Sequence, residues 1–161
     1  MIRHAGLIAL RVGGTWRGVL IEGASGSGKS DLALRALDCG FRLVADDRVL
    51  VFASDGRLWG RAPRSLTGMI EVRGVGVLRR DNLPFAHVAA MAVCVADAAA
   101  VERFPEPASE SVAGVPLPRM SVWPFEPSAP LKLRAALERL GAEAQQGYQA
   151  RFAPAGRRVG P

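Results

Sequence analysis

Residues 23–30 have the types and spacing of a phosphate-binding loop. They read Gly-Ala-Ser-Gly-Ser-Gly-Lys-Ser and fit the pattern G-x-x-x-x-G-K-[ST] at every fixed position. Glycines permit backbone conformations that point successive N–H groups at phosphate oxygens, and a loop that opens a helix adds the helix's positive end. Lys29 supplies a point charge for the β/γ phosphates, and the Ser30 hydroxyl can complete a Mg²⁺ shell. The predicted binding residues are Gly23, Ala24, Ser25, Gly26, Ser27, Gly28, Lys29 and Ser30.

Two adjacent carboxylates, Asp46 and Asp47, end the apolar stretch that begins at Phe41. After a phosphate loop and its helix, a P-loop fold places there the acids that hold Mg²⁺ and handle a water or hydroxyl. Neighbouring carboxylates push their pKa values apart, so one can serve the metal while the other takes a proton. Two adjacent aspartates would ordinarily form a turn, and the strand before them favours chemistry.

Several further positions are ambiguous from the residues alone. His4 is more often a surface histidine than a site residue in such a position. Glu71 and Arg73 stand two apart in an apolar run, so on one strand they would share a face, either as a solvated ion pair or as part of a site. Gly74 and Gly76 would weaken that strand unless another group approaches its backbone closely.

The elements that must position these groups follow from the apolar pattern. Residues 16–22 are predicted to form a strand before the loop, and residues 31–39 a helix that ends at Gly40. Glycine turns predict hairpins over residues 7–21 and 49–59, so the sheet should be mixed. We further expect strands over residues 41–45, 69–78, 88–95 and 120–123, a surface loop over 105–118, and a helix from 128 to about 140.

Length and composition indicate one globular domain. The chain has 161 residues, 49% of them hydrophobic and 22% charged, which suffices for a real core. No apolar run is long enough to span a membrane, and the amino terminus lacks the apolar region of a signal peptide. Cys39 and Cys94 are too few for a disulfide framework or a zinc site. We therefore expect a cytoplasmic protein without a membrane partner, whose cysteines act as small hydrophobes.

The net charge of +6 does not by itself indicate a nucleic-acid partner. The arginines are scattered, and only 6% of the residues are aromatic, which leaves few rings to stack on bases. An acidic protein partner or a phosphorylated substrate accounts for the charge as well, so we expect no nucleic acid. The chain has only two lysines, Lys29 and Lys132, beside nineteen arginines, and the loop position is one of the two.

Three blocks together resemble the bacterial HPr kinase/phosphorylase family. They are the phosphate loop, residues 42–47 (Arg-Leu-Val-Ala-Asp-Asp) and residues 71–76 (Glu-Val-Arg-Gly-Val-Gly), within a resemblance that runs from about residue 4 to 136. The loop alone is generic, whereas the spacing and the third block are specific. The resemblance implies a P-loop kinase core of the phosphoenolpyruvate-carboxykinase-like type, with a mixed sheet flanked by helices. We expect this catalytic domain over residues 1–140, with a basic, flexible tail over residues 141–161.

The resemblance implies a catalytic role for five residues. Asp47 would accept the serine proton during phosphorylation and return it during dephosphorylation, and Asp46 would support Asp47 or the metal. His4 matches the family's active-site histidine, which makes the site interpretation the preferred one. Lys29 belongs to the same set. Arg103 matches, in a looser alignment, a family arginine near the transferred phosphoryl group.

The same resemblance implies the metal site and the substrate side. Ser30 and Glu71 would be the two Mg²⁺ ligands from the protein. Arg73, Gly74 and Gly76 would shape the side that faces the substrate.

The implied activity is ATP- and Mg²⁺-dependent phosphorylation of a serine of the phosphocarrier protein HPr. The reverse reaction would be phosphorolysis, in which inorganic phosphate attacks phosphoserine and pyrophosphate leaves. The family also implies a homo-oligomer, often a hexamer, and the position of His4 implies the short form without the family's N-terminal domain. Residues 124–127 read Pro-Phe-Glu-Pro where longer members carry Pro-Gly-Arg-Asn, a motif tied to dephosphorylation, with Lys132 or Arg134 as stand-ins for the arginine. The kinase direction is therefore the better supported one.

Two other classes of function stay open from the sequence. A P-loop kinase for small molecules would need an arginine-bearing lid, for which the proline-rich residues 105–118 are a poor candidate. A nucleotide-sensing module without turnover would not need His4, Asp47 and Glu71. A GTPase is the weakest alternative, because the chain has no Asn-Lys-x-Asp motif.

Overall fold

The fold is built on one curled, mixed sheet of nine strands, packed against two helices and a separate two-stranded hairpin. This computed structural model describes residues 1–152, and side chains through residue 140. The strands are β1 (Ile2–His4), β2 (Gly6–Val12), β3 (Thr15–Glu22), β4 (Arg42–Ala45), β5 (Arg48–Ser54), β6 (Arg57–Arg61), β7 (Met69–Val72), β8 (Gly76–Arg79), β9 (Ala86–Cys94), β10 (Ala108–Val112) and β11 (Val115–Val122), and the helices are α1 (Lys29–Leu37) and α2 (Ala129–Phe152).

The strand order is β1-β5-β6-β9-β3-β2-β4, with β11 added beside β9 and β10 beside β11. Strands β3, β9 and β11 run parallel to one another. Because β2 is antiparallel to both β3 and β4, β4 runs in the same direction as β3. The carboxyl ends of β3, β4, β9 and β11 therefore lie along one edge of the sheet, where α/β proteins bind ligands.

A shared bend brings the two ends of the strand order together. Only Ala5 separates β1 from β2, and only Asp46 and Asp47 separate β4 from β5. Strand β1 pairs with β5 while β2 pairs with β4, and the Ala5 N–H donates to the Asp47 carbonyl oxygen at 3.2 Å. Both chain segments thus turn at the same point, which we call the corner of the sheet.

One face of the sheet is covered by the two helices. Ile8 and Leu10 of β2 are buried in a cluster with Leu32 of α1 and with Leu133 and Leu137 of α2. Apolar residues at helical spacing on α1 and α2 supply the facing surfaces. This packing fixes the start of α1 against the end of β3.

The other face is buried inside the curl of the sheet. Leu7 and Ala9 alternate with the helix-facing residues of β2 and cluster with Leu20, Val49 and Met91. Burial of both faces explains why β2, β3 and β9 read as continuous apolar runs rather than as alternating ones.

The structure confirms the predicted mixed sheet, the strand before the loop, the helix after it, and the hairpins over residues 7–21 and 49–59. Helix α1 ends at Leu37, two residues before the predicted end, and Gly40 terminates it as predicted. Gly40 has a φ of 90°, its N–H donates to the Leu37 carbonyl oxygen, and the Phe41 N–H donates to that of Ala36. These two bonds and the left-handed glycine make a Schellman motif, which stops the helix.

Two predicted elements are wrong. Residues 105–118 are not a loop, because they contain β10 and the first half of β11. Pro116 and Pro118 are tolerated there because β9 pairs with β11 only from Arg119 onward, so the missing N–H groups face no strand. Residues 69–78 are not one strand but the hairpin β7–β8.

Helix α2 is longer than predicted. It continues past residue 140 to Phe152, because a single interior glycine at position 141 costs only about 1 kcal/mol. Residues 153–161 of the predicted tail lie outside the described residues, and the division of the chain at residue 140 stays a prediction. Within residues 1–152, no helix combines the length and hydropathy needed to cross a bilayer.

Candidate active site

The phosphate loop connects β3 to α1 at the ligand-binding edge of the sheet. Gly26 and Gly28 have φ angles of 74° and 98°, in the region that favours glycine. Gly28 caps α1, and no side chain bonds to the first N–H groups of the helix. These N–H groups and the positive end of the helix are therefore available to an anion.

Lys29 is buried beneath the loop, with 7% of its surface exposed. Its Nζ donates to the carbonyl oxygens of Gly23 at 3.0 Å and Ala24 at 2.8 Å. No carboxylate in the described part of the chain forms an ion pair with Lys29. A buried ammonium group without a negative partner fits a site whose anion comes from a ligand.

Gly28 also contacts the segment that follows β11. A Cβ added at Gly28 would lie 2.8 Å from Phe125 Cζ and 3.2 Å from Pro124 Cγ, whereas a Cβ at Gly26 would have nothing within 4 Å. The two glycines therefore share a left-handed backbone but differ in the space around them.

We expect Gly28→Ala to lower the thermal midpoint more than Gly26→Ala does. Both substitutions carry about 1–2 kcal/mol of left-handed strain, and only Gly28→Ala also forces Pro124 and the exposed Phe125 ring to shift, which adds to the destabilisation. Thermal unfolding followed by circular dichroism measures the difference. Equal midpoints for the two variants would show that Pro124 and Phe125 do not press on the loop.

Asp46 is the buried member of the carboxylate pair, with 4% of its surface exposed. Its Oδ1 accepts a hydrogen bond from the Ser30 hydroxyl at 2.8 Å, and its Oδ2 accepts one from the backbone N–H of Glu71 at 3.0 Å. Burial raises the pKa of Asp46, hydrogen bonds from the Glu71 N–H, the Ser30 hydroxyl and the Asp47 N–H oppose that rise, and the negative charge of Asp47 adds to it. A divalent cation beside Ser30 and Asp46 would stabilise the ionised carboxylate.

These residues fit a bound triphosphate with Mg²⁺. Within residues 1–140, no three His, Cys, Asp or Glu side chains cluster to form a protein-only metal site. Mg²⁺ bound to nucleotides needs only one or two protein ligands, because phosphates and water supply the others. Ser30 and Asp46 are placed for that role. Glu71, predicted as a ligand, meets Asp46 through its backbone and has an exposed side chain.

Asp47 is the exposed member of the pair and lies next to His4 at the corner of the sheet. His4 Nδ1 lies 3.2 Å from Asp47 Oδ1, and both side chains are about half exposed, at 53% and 54%. Asp47 has a φ of 66°, a left-handed conformation that aspartate tolerates better than most residues. Strained backbone of this kind is found preferentially at functional sites. The bend thus gives two adjacent aspartates opposite environments.

The remaining predicted residues are exposed at the surface. Arg73, Gly74 and Gly76 are exposed in and beside the β7–β8 turn, so Arg73 does not share a strand face with Glu71 as predicted. Gly74 has a φ of 83°, which the turn requires. Arg103 is exposed, and its guanidinium carbon lies 5.4 Å from the ring centroid of Phe104. Its role beside the phosphoryl group stays a prediction.

Sequence reasoning missed two connections that support the site. Arg3 forms a bidentate pair with Glu22, with its Nε 2.6 Å from Oε1 and its Nη2 2.7 Å from Oε2. Glu22 immediately precedes the loop and Arg3 immediately precedes His4, so this pair ties the corner to the loop. Arg35 of α1 donates to the carbonyl oxygens of Pro124 and Glu126. The partners in each pairing are far apart in the sequence. No local sequence pattern therefore indicates that Arg3 pairs with Glu22 or that Arg35 binds the carbonyls after β11.

Cys94 lies under the loop and behaves as a buried apolar residue. Burial raises the pKa of its thiol to about 11, so the thiol stays protonated near neutral pH.

We expect iodoacetamide at pH 8 to label the half-buried Cys39 while Cys94 stays unlabelled until the protein is denatured. Peptide mass spectrometry distinguishes the two sites. Rapid native labelling of Cys94 would contradict its burial.

A family model described as the HPr Serine kinase C-terminal domain matches residues 3–85, just over half of the chain. The chain belongs to this family. The matched range of the HPr kinase C-terminal domain contains every predicted site residue except Arg103. It ends well before the Pro124–Phe125 segment, so that segment is a feature of this chain outside the matched region.

Two curated relatives match a shorter segment. The HPr kinase/phosphorylase of Streptococcus thermophilus (strain ATCC BAA-491 / LMD-9) is 55% identical over 62 residues, 38% of this chain and 20% of the relative. That of Clostridium beijerinckii (strain ATCC 51743 / NCIMB 8052) is 51% identical over 61 residues, with the same shares. The matched segment therefore spans about a fifth of the length of these relatives.

The fold is shared over nearly the whole chain. The structure of the HPr(Ser) kinase/phosphatase from Coxiella burnetii superposes with a TM-score of 0.75 at 22% identity, covering 95% of this chain and 99% of that one. This match confirms the predicted mixed α/β fold of the P-loop kinase type.

Proposed function

We propose that this protein is a Mg²⁺- and ATP-dependent kinase that phosphorylates a serine of the phosphocarrier protein HPr. One observation carries the proposal: the bend between β4 and β5 separates two adjacent aspartates, one bonded to the phosphate-loop serine and one exposed beside His4. Phosphoryl transfer needs a group at the phosphates and a group at the acceptor hydroxyl, close together but in different surroundings.

Different residues of this chain would bind the nucleotide, hold the metal and accept the proton. The loop N–H groups and Lys29 would hold the triphosphate and neutralise its charge. Mg²⁺, held by Ser30 and Asp46, would supply further charge neutralisation when bound. Asp47 would accept the proton of the serine hydroxyl as the new O–P bond forms and the bond to ADP breaks, and His4 would orient the Asp47 carboxylate.

The exposure of Asp47 favours a macromolecular acceptor. A small-molecule kinase encloses its acceptor to exclude water, whereas His4 and Asp47 are each about half exposed at the surface. An approaching protein surface could cover this corner and complete the site. This favours HPr over a metabolite as the acceptor.

The forward direction is the one these residues support. Phosphorolysis would use the same groups in reverse, with Asp47 returning its proton. Lys132 and Arg134, the stand-ins for the family's arginine, are engaged elsewhere, Lys132 with Glu126 and Arg134 with Glu138. We therefore assign the kinase direction as the main activity.

The family resemblance further supports a cytoplasmic homo-oligomer. Size-exclusion chromatography with light scattering tests the oligomeric state.

The direct test incubates the protein with purified HPr, ATP and Mg²⁺ and follows the mass of HPr. We expect the mass of one added phosphoryl group, absent when the acceptor serine of HPr is replaced by alanine. Addition of inorganic phosphate after ATP removal then tests the reverse reaction. An unchanged HPr mass, with ATP bound or a metabolite phosphorylated instead, would overturn the proposal.

A further inference from the structure

We propose that the Phe125 ring, packed edge to face against Trp123, forms an aromatic platform that binds the base of the nucleotide beside the phosphate loop. The inference rests on the proposed function, because it assumes that the loop binds a nucleoside triphosphate. It adds a subsite for a planar heterocycle, outside the region that the family model matches.

The topology places this segment at the correct edge of the sheet. Strands β3 and β11 both run parallel to β9, so the phosphate loop after β3 and residues 123–127 after β11 lie at the same edge. Contact confirms the proximity, because a Cβ on Gly28 would lie 2.8–2.9 Å from the Phe125 ring. The platform therefore lies directly beside the last glycine of the loop.

The order of the strands gives the nucleotide a direction. Strand β4, which ends in the Asp46 carboxylate bonded to Ser30, lies on one side of β3, and β9 and β11 lie on the other. The metal and the terminal phosphates belong on the β4 side, where Asp46 and Asp47 are. The remainder of the nucleotide must then extend toward the β11 side, where the aromatic residues are.

The surface of Phe125 suits a stacking partner. Phe125 is 54% exposed although it contacts the loop, and its ring meets Trp123 edge to face, with centroids 6.4 Å apart and an interplanar angle of 75°. A large exposed ring at the mouth of a polar anion site offers a π-face to a base. Every nucleobase has such a face, so we expect the platform to strengthen binding of ATP and GTP alike.

The platform is held in place before any ligand binds. The Arg35 guanidinium donates to the carbonyl oxygens of Pro124 and Glu126, which flank Phe125, and its Nε donates to Asp31 at 2.9 Å. Helix α1 therefore fixes both the loop and the platform. Such preorganisation reduces the ordering entropy lost on binding.

The experiment compares ATP with inorganic tripolyphosphate, which has the phosphates but no base. Both are titrated with Mg²⁺ into the 161-residue protein by calorimetry. We expect Phe125→Leu, which keeps an apolar contact with Gly28 but lacks a ring, to weaken ATP binding about tenfold and tripolyphosphate binding less than twofold. Phe125→Tyr should retain the affinity for ATP.

Phe85 provides a matched control. It is also 54% exposed and also meets a tryptophan edge to face, Trp59, with centroids 5.8 Å apart. It precedes β9 and so lies at the amino end of that strand, away from the phosphate loop. Phe85→Leu should leave the affinities for both ligands unchanged.

The outcomes separate this inference from the proposed function. ATP and tripolyphosphate could both bind while Phe125→Leu changes neither affinity or weakens both equally. In that case Phe125 does not bind the base, and the assignment of the loop as the phosphate site is retained. If Phe125→Leu increases the affinity for both ligands, the ring covers the loop instead of binding the base, and the inference is wrong. If neither ligand binds the unmodified protein, the proposed function fails, and the platform fails with it.

Discussion

Asp47→Asn is expected to abolish phosphate transfer to HPr while the protein still binds ATP. Loss of a general base lowers such rates by about 10²–10⁴-fold. Asparagine matches aspartate in size and tolerates the φ of 66° at this position, so the corner should keep its shape. Asp46 cannot take over the proton, because its two oxygens are engaged by Ser30 and by the Glu71 N–H in a buried position.

Mass spectrometry of HPr measures the transfer, and calorimetric titration measures the affinity for ATP. The affinity should change less than about twofold, because within residues 1–140 the Asp47 carboxylate pairs with His4 and Arg48 and not with the loop. Asp55→Asn is the matched control. Asp55 is also exposed and also left-handed, with a φ of 51°, but it lies in the β5–β6 turn. Transfer at the original rate in Asp47→Asn would exclude Asp47 as the proton acceptor.

The parts of the fold that the sequence predicted are those set by local chemistry. Gly40 ends α1 because a left-handed residue is needed at that point, and the loop glycines take the conformations that their motif requires. The hairpin over residues 49–59 follows from an Asp-Gly turn between two apolar runs. Each of these signals is contained within about ten residues, so no distant partner is needed to interpret it.

The corner of the sheet depends on pairing between distant segments. His4 was ambiguous from the residues alone, and only the family resemblance favoured a site role. Its position next to Asp47 results from β1 pairing with β5 while β2 pairs with β4. The opposite environments of Asp46 and Asp47 arise from the same pairing. The sequence supplied the two carboxylates but not which of them would be buried.

The segment after β11 shows the same limit. Sequence reasoning treated residues 124–127 only as a departure from a family motif. Contacts from Gly28 and Arg35, about ninety positions earlier in the chain, place this segment against the phosphate loop. Likewise, the pattern of residues 69–78 suits a strand, and the chain turns at Gly74 instead because glycine permits the left-handed conformation. Tertiary packing determines both the position of residues 124–127 and the turn within residues 69–78.

Lys29→Met is expected to weaken the binding of ATP and of tripolyphosphate alike, by about 10- to 100-fold, since a hydrogen bond to a charged group contributes about 1.5–3 kcal/mol. Methionine keeps the apolar stem of the buried side chain, so the protein should stay folded without ligand. The expected result differs from that for Phe125→Leu, which should leave the affinity for tripolyphosphate nearly unchanged. It also differs from that for Asp47→Asn, which should leave the affinity for ATP nearly unchanged. Three substitutions thus separate phosphate binding, base binding and proton transfer.

Lys132→Met is the control for Lys29→Met, because it makes the same change at the other lysine of the chain. Lys132 is 44% exposed and paired with Glu126, and exposed ion pairs contribute only about 0–1 kcal/mol. Calorimetry should show less than about a threefold change in either affinity for this variant. If Lys29→Met retained the original affinities, the buried ammonium group would not face the phosphates. The assignment of the loop as the nucleotide site would then be wrong, because Lys29 is the buried cation beneath the loop backbone.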